Sequence, residues 1–265
     1  MTRSVHLDER KSHPTTAQED RPGARKPLRL CLLDGFSIDA WAPYPSPTSP
    51  WRIVAYLALH GPVARQRLAG ILWPDASQEN AQGSLRSGLW RLQLKRPGII
   101  DAKRGTLGLP RNVTTDVSEL VRAAREVLDG GSFTSEGLAR LLSSNVLLPE
   151  WQDEWIAPER ERLRQLHLHA LESLADRLVD AGDLALAHQV SLAELSADPL
   201  REAPHRHLIR LHLLEGNLAA ARQQYRSYAE LLRRELGVAP HPSVRALFGA
   251  AGSESVPYPS RGRVR

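Results

Sequence analysis

Cysteine occurs once in these 265 residues, at Cys31, which excludes an intrachain disulfide framework and points to a reducing compartment. No apolar stretch approaches the ~20 residues that a membrane-spanning helix needs. Residues 1–27 mix charge with Pro, Thr and Gln and hold no hydrophobic segment, so they are expected to be a disordered tail rather than a signal peptide. The same expectation covers residues 251–265. No Gly-x-x-x-x-Gly-Lys phosphate loop is present, and the interval from Gly83 to Gly88 does not fit the Gly-x-Ser-x-Gly elbow of a serine hydrolase. Lysine is scarce, at four against 31 arginines; with abundant Ala and Leu this fits a GC-rich genome and carries no mechanism. Seven of the ten histidines follow residue 160. His167 and His169, like His205 and His207, stand two apart, and on a helix such pairs do not face each other. They are expected to be solvated or capping side chains. The chain is therefore expected to be soluble and cytoplasmic, without a catalytic centre, metal or cofactor.

What is present is an asymmetry of charge. Residues 28–112 hold eleven Lys and Arg against five Asp and Glu, a net of +6, while residues 113–250 hold fifteen against twenty, a net of −5. The length allows two domains, each with its own core. One is basic and suited to nucleic acid; the other is acidic and suited to protein contacts.

The basic half opens with Leu28-Arg29-Leu30-Cys31-Leu32-Leu33, then Asp34-Gly35, then Phe36-Ser37-Ile38, a strand–turn–strand pattern. A loop rich in proline (Pro43, Pro45, Pro47, Pro50) follows. Ile53, Val54, Leu57 and Leu59 mark a first helix ended by His60-Gly61-Pro62, and Leu68, Ile71, Leu72 and Trp73 a second stopped by Pro74. Asp75-Ala76-Ser77, with Glu79 in the first turn, starts a third. Along it Ala81, Leu85, Leu89 and Leu92 form a buried stripe, and the other face is small or basic. Two strand-like runs around Arg104-Gly105 then predict a tight hairpin with a basic tip. Three helices and a basic hairpin make a winged helix, whose third helix suits a major groove.

On that helix Arg86 and Arg91, with Ser84 and Ser87, are expected to make base and phosphate contacts. Trp90 lies nearly opposite the buried stripe, where it would cover a sugar edge or thymine methyl, or pack under the wing. Lys103 and Arg104 at the hairpin tip are expected at the backbone or an adjacent minor groove, with Lys95 and Arg96 in a similar role or as solvated charges at a helix end. Gly83 and Gly88 are costly within a helix; they permit close approach either to phosphate or to a neighbouring helix.

In the acidic half, Ala181-Gly182-Asp183-Leu184-Ala185-Leu186-Ala187 is echoed by Glu215-Gly216-Asn217-Leu218-Ala219-Ala220-Ala221 at an offset of 34 residues, the tetratricopeptide (TPR) period. Pro199 closes the first unit; the second has Arg233 at the matching place and predicts a longer terminal helix or cap. Helices over 116–128 and 159–180 and one near 243–248 are expected to complete an all-α core. Tyr225 and Tyr228 are expected inside it; Trp151 and Trp155, four apart, could stack on a base or ligand and are expected rather to pack between the two domains.

Two resemblances join these halves. Residues 28–109, with Leu-Trp-Pro-Asp at 72–75 and Ser-Leu-Arg-Ser-Gly-Leu-Trp-Arg-Leu at 84–92, resemble the OmpR-type winged helix of the SARP family, activators of antibiotic and other secondary-metabolite clusters. Leu147-Leu148-Pro149-Glu150-Trp151, Glu159-Arg160-Glu161-Arg162-Leu163, Ala-Asp-Pro-Leu at 197–200 and Glu235-Leu236-Gly237 resemble the bacterial transcriptional activation domain that follows it in SARP proteins. The resemblance implies a mainly α fold with a small β component: a winged-helix DNA-binding domain over 28–112 and a TPR-like activation domain over 113–250. It also implies promoter direct repeats of double-stranded DNA as target, a homodimer on DNA, and RNA polymerase holoenzyme as partner, with no membrane involved. The other open reading is a TPR-like protein-interaction scaffold whose winged domain binds protein. On the first reading, residues 159–250 are expected to be dispensable for weak binding to one half-site and required for activation.

Overall fold

Strand β1 (Leu28–Cys31) turns at Asp34-Gly35 and pairs antiparallel with β2 (Ser37–Ile38), Leu30 opposite Ile38. The computed structural model describes residues 28–39, 49–143 and 146–250; the two expected tails and most of the expected proline-rich loop lie outside them. Helix α1 (Ser49–His60) carries Pro50 in its first turn, where no amide hydrogen is needed, so this proline starts a helix instead of belonging to the loop. Gly61, at φ 75°, ends it. After β3 (Val63–Ala64) come α2 (Arg65–Leu72) and α3 (Gln78–Lys95), whose first turn is capped by the Ser77 hydroxyl accepting from the Asn80 N–H at 3.3 Å. The hairpin β4 (Asp101–Lys103) and β5 (Thr106–Gly108) turns through Arg104 and Gly105, at φ 47° and 80°. Two successive left-handed residues make the tight turn whose twist matches the strands. β5 lies between β3 and β4 in an antiparallel sheet, completing a winged helix-turn-helix.

The second half is all helix after one strand. β6 (Val113–Thr115) returns to pair in parallel with β1. Then follow α4 (Asp116–Leu128), α5 (Ser135–Leu142), α6 (Ile156–Ala181), α7 (Leu184–Ala197), α8 (Glu202–Leu214), α9 (Leu218–Leu236) and α10 (Pro242–Ala250). The 34-residue echo marks two equivalent corners. Gly182 (φ 78°) and Gly216 (φ 72°) turn the chain, and Asp183 and Asn217 cap α7 and α9 by accepting from the N–H groups of Leu186 and Ala220, each at 3.1 Å. Ala187 and Ala221 are fully buried where paired helices meet. α9 has 19 residues against 14 in α7, the longer terminal helix the second unit predicted. α5 had no sequence signal: eight residues are too few for a periodic pattern to stand out.

The expectation of a separate core for each half does not hold. One continuous apolar core runs from Leu30 and Ile53 through Leu120 and Leu147 to Leu171 and Val190. Aromatic rings tie its middle: Phe36 lies 5.7 Å from Trp51 and 5.5 Å from Trp151, and Tyr56 meets Trp155 edge-on at 5.2 Å. The two tryptophans therefore pack between the halves, as expected. Main-chain bonds add to this. The Asp34 N–H donates to the Val146 carbonyl at 2.7 Å, and the Leu148 N–H to the Leu32 carbonyl at 2.8 Å. Arg160 of α6 donates to the carbonyls of Leu147, Leu148 and Trp151, holding a segment in which Leu148 takes φ 41°. On the winged side Arg52 pairs with Asp153 and donates to the Leu72 carbonyl.

The junction centres on Asp116, at the first turn of α4. Its buried carboxylate accepts from the N–H groups of Leu32, Leu33 and Val117 at 2.8–3.0 Å. Burial pushes its carboxyl above the ordinary range, and the backbone donors pull it partly back. Thr115 and Ser118 form a reciprocal capping box around it.

Three histidines expected to be solvated or capping are instead buried. His167 Nε2 bonds to the Leu141 carbonyl at 2.7 Å; His205 stacks on Tyr228 at 4.0 Å and bonds to the Pro199 carbonyl; His207 sits between Glu194 and Asp176. Each ring finds protein partners for its nitrogens, which is what lets an imidazole enter a core. Tyr228 is buried as expected, while Tyr225 is half-buried against Phe248.

Two outcomes follow. Asp116→Ala leaves buried N–H groups without an acceptor and is expected to cost about 2–4 kcal/mol. Calorimetry should show both halves of wild type and variant melting in one transition. Burial holds His167 and His205 below the ordinary 6.5. A depressed histidine stabilises the fold above its unfolded value, and that stability is lost as pH falls through the lower folded value. The melting temperature should therefore drop as pH is lowered from 6.5, and His205→Gln should reduce that slope.

Candidate nucleic-acid interface

Helix α3 owes its orientation to the stripe Ala81, Leu85, Gly88 and Leu92, all buried. Leu89, expected in that stripe, is only half-buried, and Gly88 takes its place; a glycine there lets the helix backbone sit within the core. Gly83 has a different setting. A Cβ built on it would meet only the Arg86 guanidinium, at 3.7 Å, so packing does not require it. Both glycines border an outer polar depression, but Gly88 is buried beside the core stripe while Gly83 is only half-buried.

Around Gly83 the structure brings together four of the expected contact residues. Ser84, Arg86, Ser87 and Arg91 line one shallow polar depression with Asn80 and Glu79. Arg86, Ser87 and Arg91 are exposed and Ser84 half-buried. Trp90 and Lys95 are also exposed, outside that depression, and Trp90 at 64% does not pack under the wing. Among the described residues none of Arg86, Arg91 and Lys95 stands in an ion pair. Arg96 differs, with Asp39 at 3.9 Å.

On the wing, Lys103 bonds to Asp101 at 2.6 Å while remaining 78% exposed, and Arg104 occupies the turn itself. The wing thus presents one compensated and one uncompensated cation. The carbonyl of Gly105 accepts from the Arg65 N–H at 3.0 Å, so the exposed start of α2 adjoins the wing tip. Sequence reasoning did not single out Arg65; only the β3–β5 pairing reveals its place beside the hairpin.

No group of His, Cys, Asp and Glu among the described residues could hold a metal ion, and no helix of theirs is long and apolar enough to cross a membrane. The surface is built for charge and shape, and its partner half is a helical repeat. Residues 113–250 match the family model described as the bacterial transcriptional activator domain. The chain belongs to that family. It is a family of transcriptional activator domains rather than of enzymes. A solved structure of Mycobacterium tuberculosis EmbR in complex with a low affinity phosphopeptide is similar in fold, with a TM-score of 0.63 at 22% identity, over 88% of this chain and 67% of that one. No curated protein matches the chain.

Because Gly83 is not needed for packing, Gly83→Ala should stabilise α3 by about 0.5–1 kcal/mol. A rise in melting temperature accompanied by weaker binding to DNA would show that the glycine serves close approach to a ligand.

Proposed function

We propose that this chain is a SARP-type activator that binds promoter DNA sequence-specifically through α3 and the wing and recruits RNA polymerase holoenzyme through its helical repeats. The observation that carries the reading is the exposed, unpaired Arg86 and Arg91 on the outer side of a helix whose other side is locked into the core. Such charges attract phosphates, and arginine is suited to bidentate contact with guanine. Ser84 and Ser87 supply short donors between them; Trp90, Lys95, Lys103 and Arg104 extend the footprint along the helix and onto the wing. The resemblance to SARP proteins supports direct repeats upstream of a secondary-metabolite cluster as the target, a homodimer arranged head to tail on one face of the duplex, and action at the nucleoid in the cytoplasm.

Binding is tested by an electrophoretic shift with upstream DNA of the protein's own gene cluster in excess competitor. Arg86→Ala and Arg91→Ala should each lose about 1–3 kcal/mol on the operator. Replacing Lys103 and Arg104 together should weaken binding on all sequences and flatten the salt dependence by at most about two units. Wild-type affinity in both arginine variants would exclude α3 as the reader and favour a protein-binding scaffold. In vitro transcription at matched operator occupancy then separates binding from activation.

A further inference from the structure

At ~100° per residue, Gly83, Ser87, Trp90 and Leu94 fall on one line down the centre of the outer side of α3, opposite Ala81, Leu85 and Leu92. The first two are small. The last two are each 64% exposed, more than any other large hydrophobic side chain among the described residues. Arg86 flanks this line on one side and Arg91 and Lys95 on the other. The only carboxylate of α3, Glu79, stands in its first turn, away from Trp90.

A bare Trp–Leu ridge does nothing for the fold and keeps apolar surface in water. Its frame of cations decides what covers it. A protein surface apolar enough to fit the ridge would leave Arg86 and Arg91 without counter-charge. A major groove supplies phosphates on both sides and, along its floor, the 5-methyl groups of thymine. Resting on the DNA-binding reading above, we propose that Trp90 and Leu94 read thymine methyl groups, with Gly83 and Ser87 letting the N-terminal half of α3 approach the bases. Four residues of helix rise about 6 Å, so the two methyls lie about one to two base-pair steps apart. Leu94 becomes a specificity-determining residue that neither charge nor hydrogen bonding would reveal.

The test uses the full-length protein and a site selected from a random duplex library. Thymine is replaced by deoxyuridine, which lacks only the methyl, at each position of the selected site. Wild type should lose about fourfold in affinity at each of two nearby positions. The Trp90→Ala/Leu94→Ala double variant should melt like wild type, keep its salt dependence, and ignore the same replacements. Equal sensitivity to deoxyuridine in both proteins overturns the proposal, as does a selected site without thymine under the ridge. A double variant that binds DNA unchanged but passes from dimer to monomer in light scattering also overturns it, assigning the ridge to contact between copies. A wild type that selects no sequence and shows no salt-dependent binding removes the DNA-binding reading itself, a result distinct from binding that ignores the methyls.

Discussion

The carboxylate of Asp116 reaches back across the sheet to the N–H groups of Leu32 and Leu33 while opening α4 with its own turn. Three consequences are coupled there. The chain leaving β1 is held through Leu32 and Leu33, α4 is anchored beside β6, and the segment around Leu147 and Leu148 has an edge to join. Arg160 completes the arrangement from α6 by satisfying three carbonyls of that segment. This buried carboxylate is tolerable because its oxygens meet N–H groups that would otherwise be orphaned and the charge of Arg140 favours its ionised form. The winged helix and the helical repeats thus share one core, although their charges and sequence signatures differ.

Much of this was legible in the residues. The α3 boundaries follow from Ser77 and Glu79 at one end and Lys95 at the other, and the wing turn from Arg104-Gly105. The two Gly-Asp/Asn corners of the repeat were visible because left-handed glycines and caps recur at a fixed period. What was hidden is what depends on contacts distant in sequence. Nothing in the sequence singles out Asp116 or Arg52, Phe36 reads as a strand residue and Arg160 as one position of a motif; only the fold puts them at one junction. The buried histidines were misread for the same reason, since a solvated and a satisfied core imidazole look alike until their partners are known.

The candidate interface divides in the same way. The cationic character of α3 is local and could be read directly, whereas the different burial of its two glycines could not. Nor could the state of the wing lysine. Asp101 and Lys103 are two apart on β4, so they lie on the same side and neutralise each other. Among the described residues, the exposed cations of the winged half outside any ion pair are therefore fewer than a count of basic residues suggests: Arg86, Arg91 and Lys95 on α3, Arg104 on the wing turn, Arg65 and Arg67 on α2, and Arg111.

A shared core also has no hinge. Domains joined by a linker let a protein hold its target with one module while the other searches space; here Trp151, Trp155 and Arg160 remove that freedom. On the proposed reading, the rotation of the winged helix around the duplex sets the direction in which α7, α8 and α9 point. Because DNA turns once in about 10.5 base pairs, moving the operator by half a turn swings the whole helical half to the opposite side of the helix. The position of a site relative to its promoter then acts as an angle before it acts as a distance.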